Sequence, residues 1–469
     1  MVSVFMSVAV RTPRRAGEAE RYMLIKKETK MAKKALLIFL FPLLFNANIV
    51  LSQDNSAEIN QALEYFREAQ SLSENDNGNL WGIQLYGPMF FVNPETRFII
   101  ANQPDNENYL EKNGGVYCGI LPNEVNIANT ALDWKGKKWT MVIWPLPESK
   151  FERTSLIMHE LFHRIQETIN LPPYNPSCNH LDQKEGRILL RLEWQELVSA
   201  FKTEKQERLT HIKNAMTLNK YRKELYPGAD SLESQMELNE GLAEYTGLKL
   251  SGADEKTIVG FLAQKINTSE TLPSFVRSFA YISGPLYCFL LDNSTKPWRT
   301  KIDKTTSISA LVSDAYSINI GSHLKEEAQL LLTANKESAI VKYEDEREKQ
   351  HQERLAALKD KFFNKPVIVI LLQHMNVQFD PRNLVPLENV GTVYPTIRIS
   401  DDWGILTVTH DALLAADWKS ILISLPDSFT NNTGKKIFTS PDWTLELNEG
   451  WKLKPAQRKG SYILSKIDQ

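Results

Sequence analysis

The stretch Ser155-Leu156-Ile157-Met158-His159-Glu160-Leu161-Phe162-His163 constrains this chain more than any other. On an α-helix, positions i and i+4 lie about one turn apart on the same face, so His159 and His163 can both reach one metal ion. Glu160 stands next round the helix, able to touch a metal-bound water without being a ligand itself. Ile157, Met158, Leu161 and Ile165 occupy the other side and give the helix a core to dock on. If the metal is to do chemistry, another part of the chain must bring a third ligand and leave one position open for water. The competing reading, a buried helix with two incidental histidines, expects no such partner.

The segment Asp230-Ser231-Leu232-Glu233 supplies an N-cap with an acid three residues on, which predicts a helix start there. That helix carries Met236-Glu237-Leu238-Asn239-Glu240-Gly241-Leu242-Ala243-Glu244-Tyr245-Thr246 and is expected to end at Gly247. Glu240 and Glu244 are again i and i+4 on one face, with Leu238, Leu242 and Tyr245 on the other. Gly241 and Ala243 flank the acidic face and would let this helix come close to the first. Two histidines and a glutamate make one of the standard catalytic zinc sets.

Together the motifs His159-Glu160-x-x-His163 and Asn239-Glu240-x-x-x-Glu244 resemble those of the gluzincin peptidases, the thermolysin-like clan. The resemblance covers two short helices, not the whole chain. It implies Zn²⁺ held by His159, His163 and Glu240, with Glu160 as general base on the metal water. It also implies Glu244 as the outer partner of a ligand histidine, with Asn239 beside it. Two departures stand out. His163 and Glu240 are 77 positions apart (240 minus 163), more than in the simplest members, and Arg164 follows the second histidine where an uncharged residue is more usual.

Other third ligands fit less well. The metzincin pattern needs Gly and His soon after His163, and residues 164–172 contain neither. His180 reads as a surface or loop-stabilising residue, and Glu193 and Glu196 lack a preceding Asn. A donor for the oxyanion is sought in Phe279-Ala280-Tyr281-Ile282-Ser283-Gly284-Pro285-Leu286-Tyr287, where a breaker interrupts an apolar stretch. Tyr281 is preferred over Tyr287, against the alternative that each is a core tyrosine.

The remaining sequence sets the frame. Fold class is expected to be α+β: an antiparallel sheet, a helical zinc-site subdomain and a C-terminal antiparallel β domain. Residues 1–52 read as a leader and signal peptide, with Met31-Ala32-Lys33-Lys34 before an apolar run and cleavage near Ser52; Met23 and Met31 are alternative starts. An exported protein, periplasmic or secreted, with no stable membrane span after signal removal is expected. Residues 53–150 form the β-rich part of the catalytic region, in which 139–144 is either an edge strand for extended substrate or, more readily, a plain core strand. Residues 151–322 form the helical part. There Arg187, Arg191, Glu193 and Glu196 must be paired, with one another or behind the metal, and 203–224 reads as a solvated helix. Residues 323–364 read as a long charged bridging helix and 365–469 as a β sandwich or barrel in which His374 and His410 lack ligand spacing.

Composition excludes some functions. With 55 basic and 57 acidic side chains among 469 residues, the chain has no electrostatic footprint for nucleic acid. Cys118, Cys178 and Cys288 have no C-x-x-C spacing, so they make neither a zinc ribbon nor a disulfide framework. The expected activity is hydrolysis of a peptide or protein substrate at zinc. The alternative is a regulatory or scaffold protein that keeps the peptidase-like fold and binds partners through its β module.

Overall fold

A computed structural model describes residues 6–8, 56–269, 272–380, 384–387, 390–426, 429 and 436–467. The chain is α+β, with an N-terminal sheet, a helical middle and C-terminal sheets. The described residues divide into two compact units, 56–345 and 346–467 together with Met6–Val8. The leader read over 1–52 lies outside the described residues, apart from Met6–Val8, which pairs with Val377–Phe379. Among the described residues, no helix is long and apolar enough to cross a membrane.

The first unit opens with α1 (Ser56–Asp76) and a six-stranded sheet. Its strand order is Glu111–Asn113, Val116–Ile120, Phe98–Ala101, Met89–Val92, Lys137–Ile143, Thr130–Trp134. Lys137–Ile143 is interior, running parallel to Met89–Val92 and antiparallel to Thr130–Trp134. The plain-core reading of 139–144 therefore holds, and the sheet is mixed rather than antiparallel throughout. Alternation explains the placement. Val142 enters the core shared with the helices, while Trp139 and Met141 join Phe90 and Trp134 on the opposite face. The edge strand beside Lys137–Ile143 is Thr130–Trp134, which sequence patterning missed because Thr130-Ala131-Leu132-Asp133-Trp134 carries little apolar alternation.

Helix α2 (Lys150–Ile165) starts where the Ser149 hydroxyl accepts from the Glu152 N–H. Its apolar side, Ile157, Met158, Leu161, Phe162 and Ile165, is buried, each side chain contributing roughly 1.5–3 kcal/mol. Helices α3 (Lys184–Lys202) and α4 (Lys205–Leu225) pack on each other. The solvated reading of 203–224 is corrected: Ile212, Ala215, Met216, Leu218 and Arg222 are buried. The many charges of α4 mask a narrow apolar stripe.

A single helical run comes next: α5 (Ala229–Met236), a π turn (Glu237–Gly241) and α6 (Leu242–Leu250). Two expectations fail here. The cap is Gly228, at φ 82° in the left-handed region, so Asp230 lies in the first turn rather than at the start. Gly247 does not end the helix. It is the crossing point with α2, since a Cβ there would collide with the Ser155 carbonyl oxygen. Gly241 serves a different neighbour, Gly284 of α8 (Ala280–Asp292), where the two backbones touch. Between these lies α7 (Glu255–Ser269).

The bridging helix read over 323–364 is also corrected. It consists of Leu324–Ala334 and Ala339–Lys359, separated at residues 335–338, and Glu344 is fully buried. The division between the two units falls inside Ala339–Lys359. The C-terminal unit is a sandwich whose core draws Ile368, Leu414 and Ile421 from one sheet and Val377, Leu406 and Trp443 from the other. Its strands are antiparallel except that Tyr462–Lys466 runs parallel to Val367–Leu371. His374, read as lacking ligand spacing, comes together with Asp401 and Asp402 on the sandwich surface. All three cysteines are free and buried.

Candidate metal centre

Helix α2 and the run containing α6 bring His159, His163 and Glu240 together, their ligand atoms all within 4.8 Å of one another. The two Nε2 atoms are 3.1 Å apart, and Glu240 Oε2 lies 3.6 Å from that of His159 and 3.5 Å from that of His163. Donors about 2.0–2.1 Å from one ion at tetrahedral angles are about 3.3–3.4 Å from each other. The triangle therefore fits zinc as it stands. Donor chemistry agrees, two imidazoles and one carboxylate.

Both imidazoles are aimed by their other nitrogen. His159 Nδ1 lies 3.0 Å from Glu244 Oε2, and Lys265 Nζ donates to the second oxygen of Glu244 at 2.7 Å. His163 Nδ1 lies 2.7 Å from Gln166 Oε1. The Gln166 amide in turn donates to Asn239 Oδ1 at 3.3 Å. Such contacts orient each ring through Nδ1 and aim Nε2 at the triangle. Glu244 and Asn239 thus stand where the resemblance implied, whereas Gln166 and Lys265 escaped sequence reading. Gln166 was within reach of it, being three residues after His163 on the same helix.

The electrostatics arise from crowding carboxylates against imidazoles in a buried place. Burial alone would lower the His159 pKa, but Glu240 and Glu244 outweigh it and push it up to about 10. Burial would raise Glu240, yet its bonds to His159, His163 and Tyr281 hold it well below the usual carboxylate range. Glu244 is held at about 2, where the Lys265 charge and the His159 bond overcome burial. Burial raises Glu160, only partly offset by His159 and His163. Its Oε2 is buried with no hydrogen-bond partner among the described residues.

These groups face a cleft of about 200 Å³. Asn129, Thr130 and Ala131 of the sheet edge form one wall, and Arg277 and Tyr281 stand on another. Tyr281 stacks on His159, ring centroids 5.6 Å apart and planes 4° from parallel, and donates to Glu240 Oε2 at 2.5 Å. The Gly241–Gly284 contact brings this tyrosine within reach of Glu240. Tyr287 is elsewhere, fully buried and donating to Glu193.

The remaining acids of the helical region form a separate network. Arg222, fully buried, donates to Glu233 at 3.0 and 2.8 Å and to Glu193 at 2.6 Å. His180 Nε2 lies 2.7 Å from Glu233, so it is a buried partner rather than a surface residue. Arg187 and Arg191 both pair with Glu344, and Glu196 with His211. Arg187, Arg191, Glu193 and Glu196 of α3 are therefore paired with other elements. No family model, curated protein or solved structure matches the chain.

Proposed function

We propose that this chain is a zinc-dependent peptidase of the gluzincin type. The observation that carries the reading is the His159, His163 and Glu240 triangle, at tetrahedral spacing, with the unpartnered Glu160 carboxylate oxygen beside it. Zinc held there would supply Lewis acidity, polarising a carbonyl and acidifying the attacking water.

The chain's own residues supply the rest. Glu160, whose Oε1 lies 4.0 Å from His159 Nε2, accepts the proton of the water and hands it to the leaving amine. A raised affinity for protons suits that shuttle. The Tyr281 hydroxyl, on the cleft wall, can turn from Glu240 to a developing oxyanion. Glu244 and Gln166 orient both imidazoles through Nδ1. Among the described residues the edge strand Thr130–Trp134 is paired on one side only, by Lys137–Ile143, and its start lines the cleft. Extended peptide can add to that free edge through main-chain hydrogen bonds.

The test is metal content and cleavage by the full chain, against a panel of peptides. One zinc per chain and cleavage that drops about 10²–10⁴-fold in Glu160→Ala, with zinc retained, are expected. Substoichiometric zinc in wild type, or cleavage indifferent to the substitution, would sink the enzyme reading. Glu240→Ala is expected to lose zinc, and unchanged metal content would remove Glu240 from the ligand set.

A further inference from the structure

With His159, Glu160, His163 and Glu240 assigned to the metal machinery, two charged side chains remain on the cleft wall, Lys138 and Arg277. Lys138 is satisfied by Glu167 at 2.5 Å. Arg277 is not satisfied in the same way. Its side chain is 58% exposed, and only Nη2 is engaged, 3.2 Å from Glu240 Oε1 and 3.2 Å from Asn175 Oδ1. Those contacts hold Nη2, while Nε and Nη1 have no hydrogen-bond partner among the described residues.

Charge balance shows what those donors are for. Zinc would bring two positive charges, which Glu160 and Glu240 offset with two negative ones. Arg277, whose acidic partner is that same Glu240, then adds a positive charge that the cleft acids do not balance. Nε and Nη1 lie on opposite edges of the guanidinium, so each can give a single charge-assisted hydrogen bond to a carboxylate. Reach narrows the choice further. Glu240 touches Arg277 through Oε1 and the ligand triangle through Oε2, so the arginine stands one carboxylate's width from the ligands. One extended residue spans about 3.3–3.6 Å, so the anion within reach belongs to the residue next to the scissile bond. A second cavity, of about 520 Å³ and bordered by Leu272 and Ile282, shares Arg277 and Tyr281 with the cleft and has room for the rest of that residue.

We propose that Arg277 is a specificity residue that binds a carboxylate on the substrate residue flanking the scissile bond. This inference rests on the peptidase reading, which it deepens by naming the substrate class: peptides with an anionic group at that position. The carboxylate has two sources, the free C-terminus of the peptide or an Asp or Glu side chain.

The test is binding by calorimetry to the zinc-loaded full chain carrying Glu160→Gln, which separates affinity from turnover. Two peptide pairs serve as probes: a blocked tripeptide with a free C-terminus against its amide, and an internal Glu against Gln in a peptide blocked at both ends. At least one anionic peptide is expected to bind about 10–100-fold more tightly than its neutral counterpart, as hydrogen bonds between charged groups warrant. The pair that shows the preference identifies the source of the carboxylate. Adding Arg277→Gln is expected to bring the ratio near one, and Arg277→Lys, which keeps the charge but moves the donor, to leave part of it. A ratio of one with Arg277 intact, or a ratio that survives Arg277→Gln, would overturn the proposal. So would loss of zinc from Arg277→Gln, which would make the arginine a holder of Glu240. If the binding ratio stands but the wild-type chain cleaves none of the four peptides, the anion site is supported and the peptidase reading fails.

Discussion

Two clusters on the helical run Ala229–Leu250 use the same residue types and are finished differently. Around Glu233, arginine, histidine and glutamates are sealed from water, and Arg222 engages both of its carboxylate partners. Around Glu240, a carboxylate oxygen of Glu160 is left without a partner, an arginine is more than half exposed and a cleft opens. Sealed ion networks bind helices to one another and have nothing left to offer a ligand. Groups left open at a buried place cost free energy that packing alone does not recover, and such places are where function is sought. The contrast separates a sealed cluster from an open one without reference to any relative.

The sharpest way to break that contrast is Arg222→Met. It would strand Glu193 and Glu233 in the core and is expected to cost about 3–5 kcal/mol in urea unfolding. Zinc content of the folded fraction should not change. Loss of metal instead would mean that the two clusters are one unit.

A smaller effect is expected on the open side. Gln166→Ala and Glu244→Ala each free the second nitrogen of a ligand histidine, and zinc affinity, read by competition with a chelator, should fall about 10–100-fold. Folding stability measured without metal should change far less than in Arg222→Met. Equal stability losses would place these residues with the sealed network.

Glu237, between the clusters, gives the smallest and most diagnostic signal. Both its oxygens are buried without hydrogen-bond partners among the described residues, and burial, opposed by Lys223, pushes its pKa up to about 8. Because the folded value exceeds the ordinary 4.5, the folded chain keeps a proton that the unfolded chain releases. Its contribution is therefore full below pH 4.5 and is lost as pH rises toward 8, by at most about 1.4 kcal/mol per pH unit. Glu237→Gln should remove that slope from the stability profile. An unchanged slope between pH 5 and 8 would show that Glu237 is ionised in the fold.

Much of the candidate site was legible in advance because it depends on local spacing. His159 and His163, then Glu240 and Glu244, need only an i, i+4 relation to share a face, and each pair does. The strongly apolar strands Met89–Val92 and Phe98–Ala101 were legible for the same reason. The hidden part depends on contacts between distant segments. Nothing local in Thr130-Ala131-Leu132-Asp133-Trp134 marks it as the cleft edge, and Arg277 acquires its place only when α8 meets the π turn. The glycines show the limit most plainly. Composition singled out Gly241 and Gly247, yet only packing shows that the first contacts α8 and the second α2.

The π turn itself has a further consequence. In a regular helix, Glu233, Glu237, Glu240 and Glu244 would fall on one stripe, spaced 4, 3 and 4. A π turn is wider than an α turn by about one residue, so the helix beyond it is rotated by about 100°. Glu233 consequently faces Arg222 of α4, while Glu240 and Glu244 face the histidines of α2. The run behaves as two gears cut out of phase on one shaft. Deleting a single residue between Glu237 and Gly241 would bring them into phase, so that only one of the two clusters could mesh at a time. Length is therefore under tighter constraint in these five positions than the identity of any one of them, apart from Glu240 and Gly241.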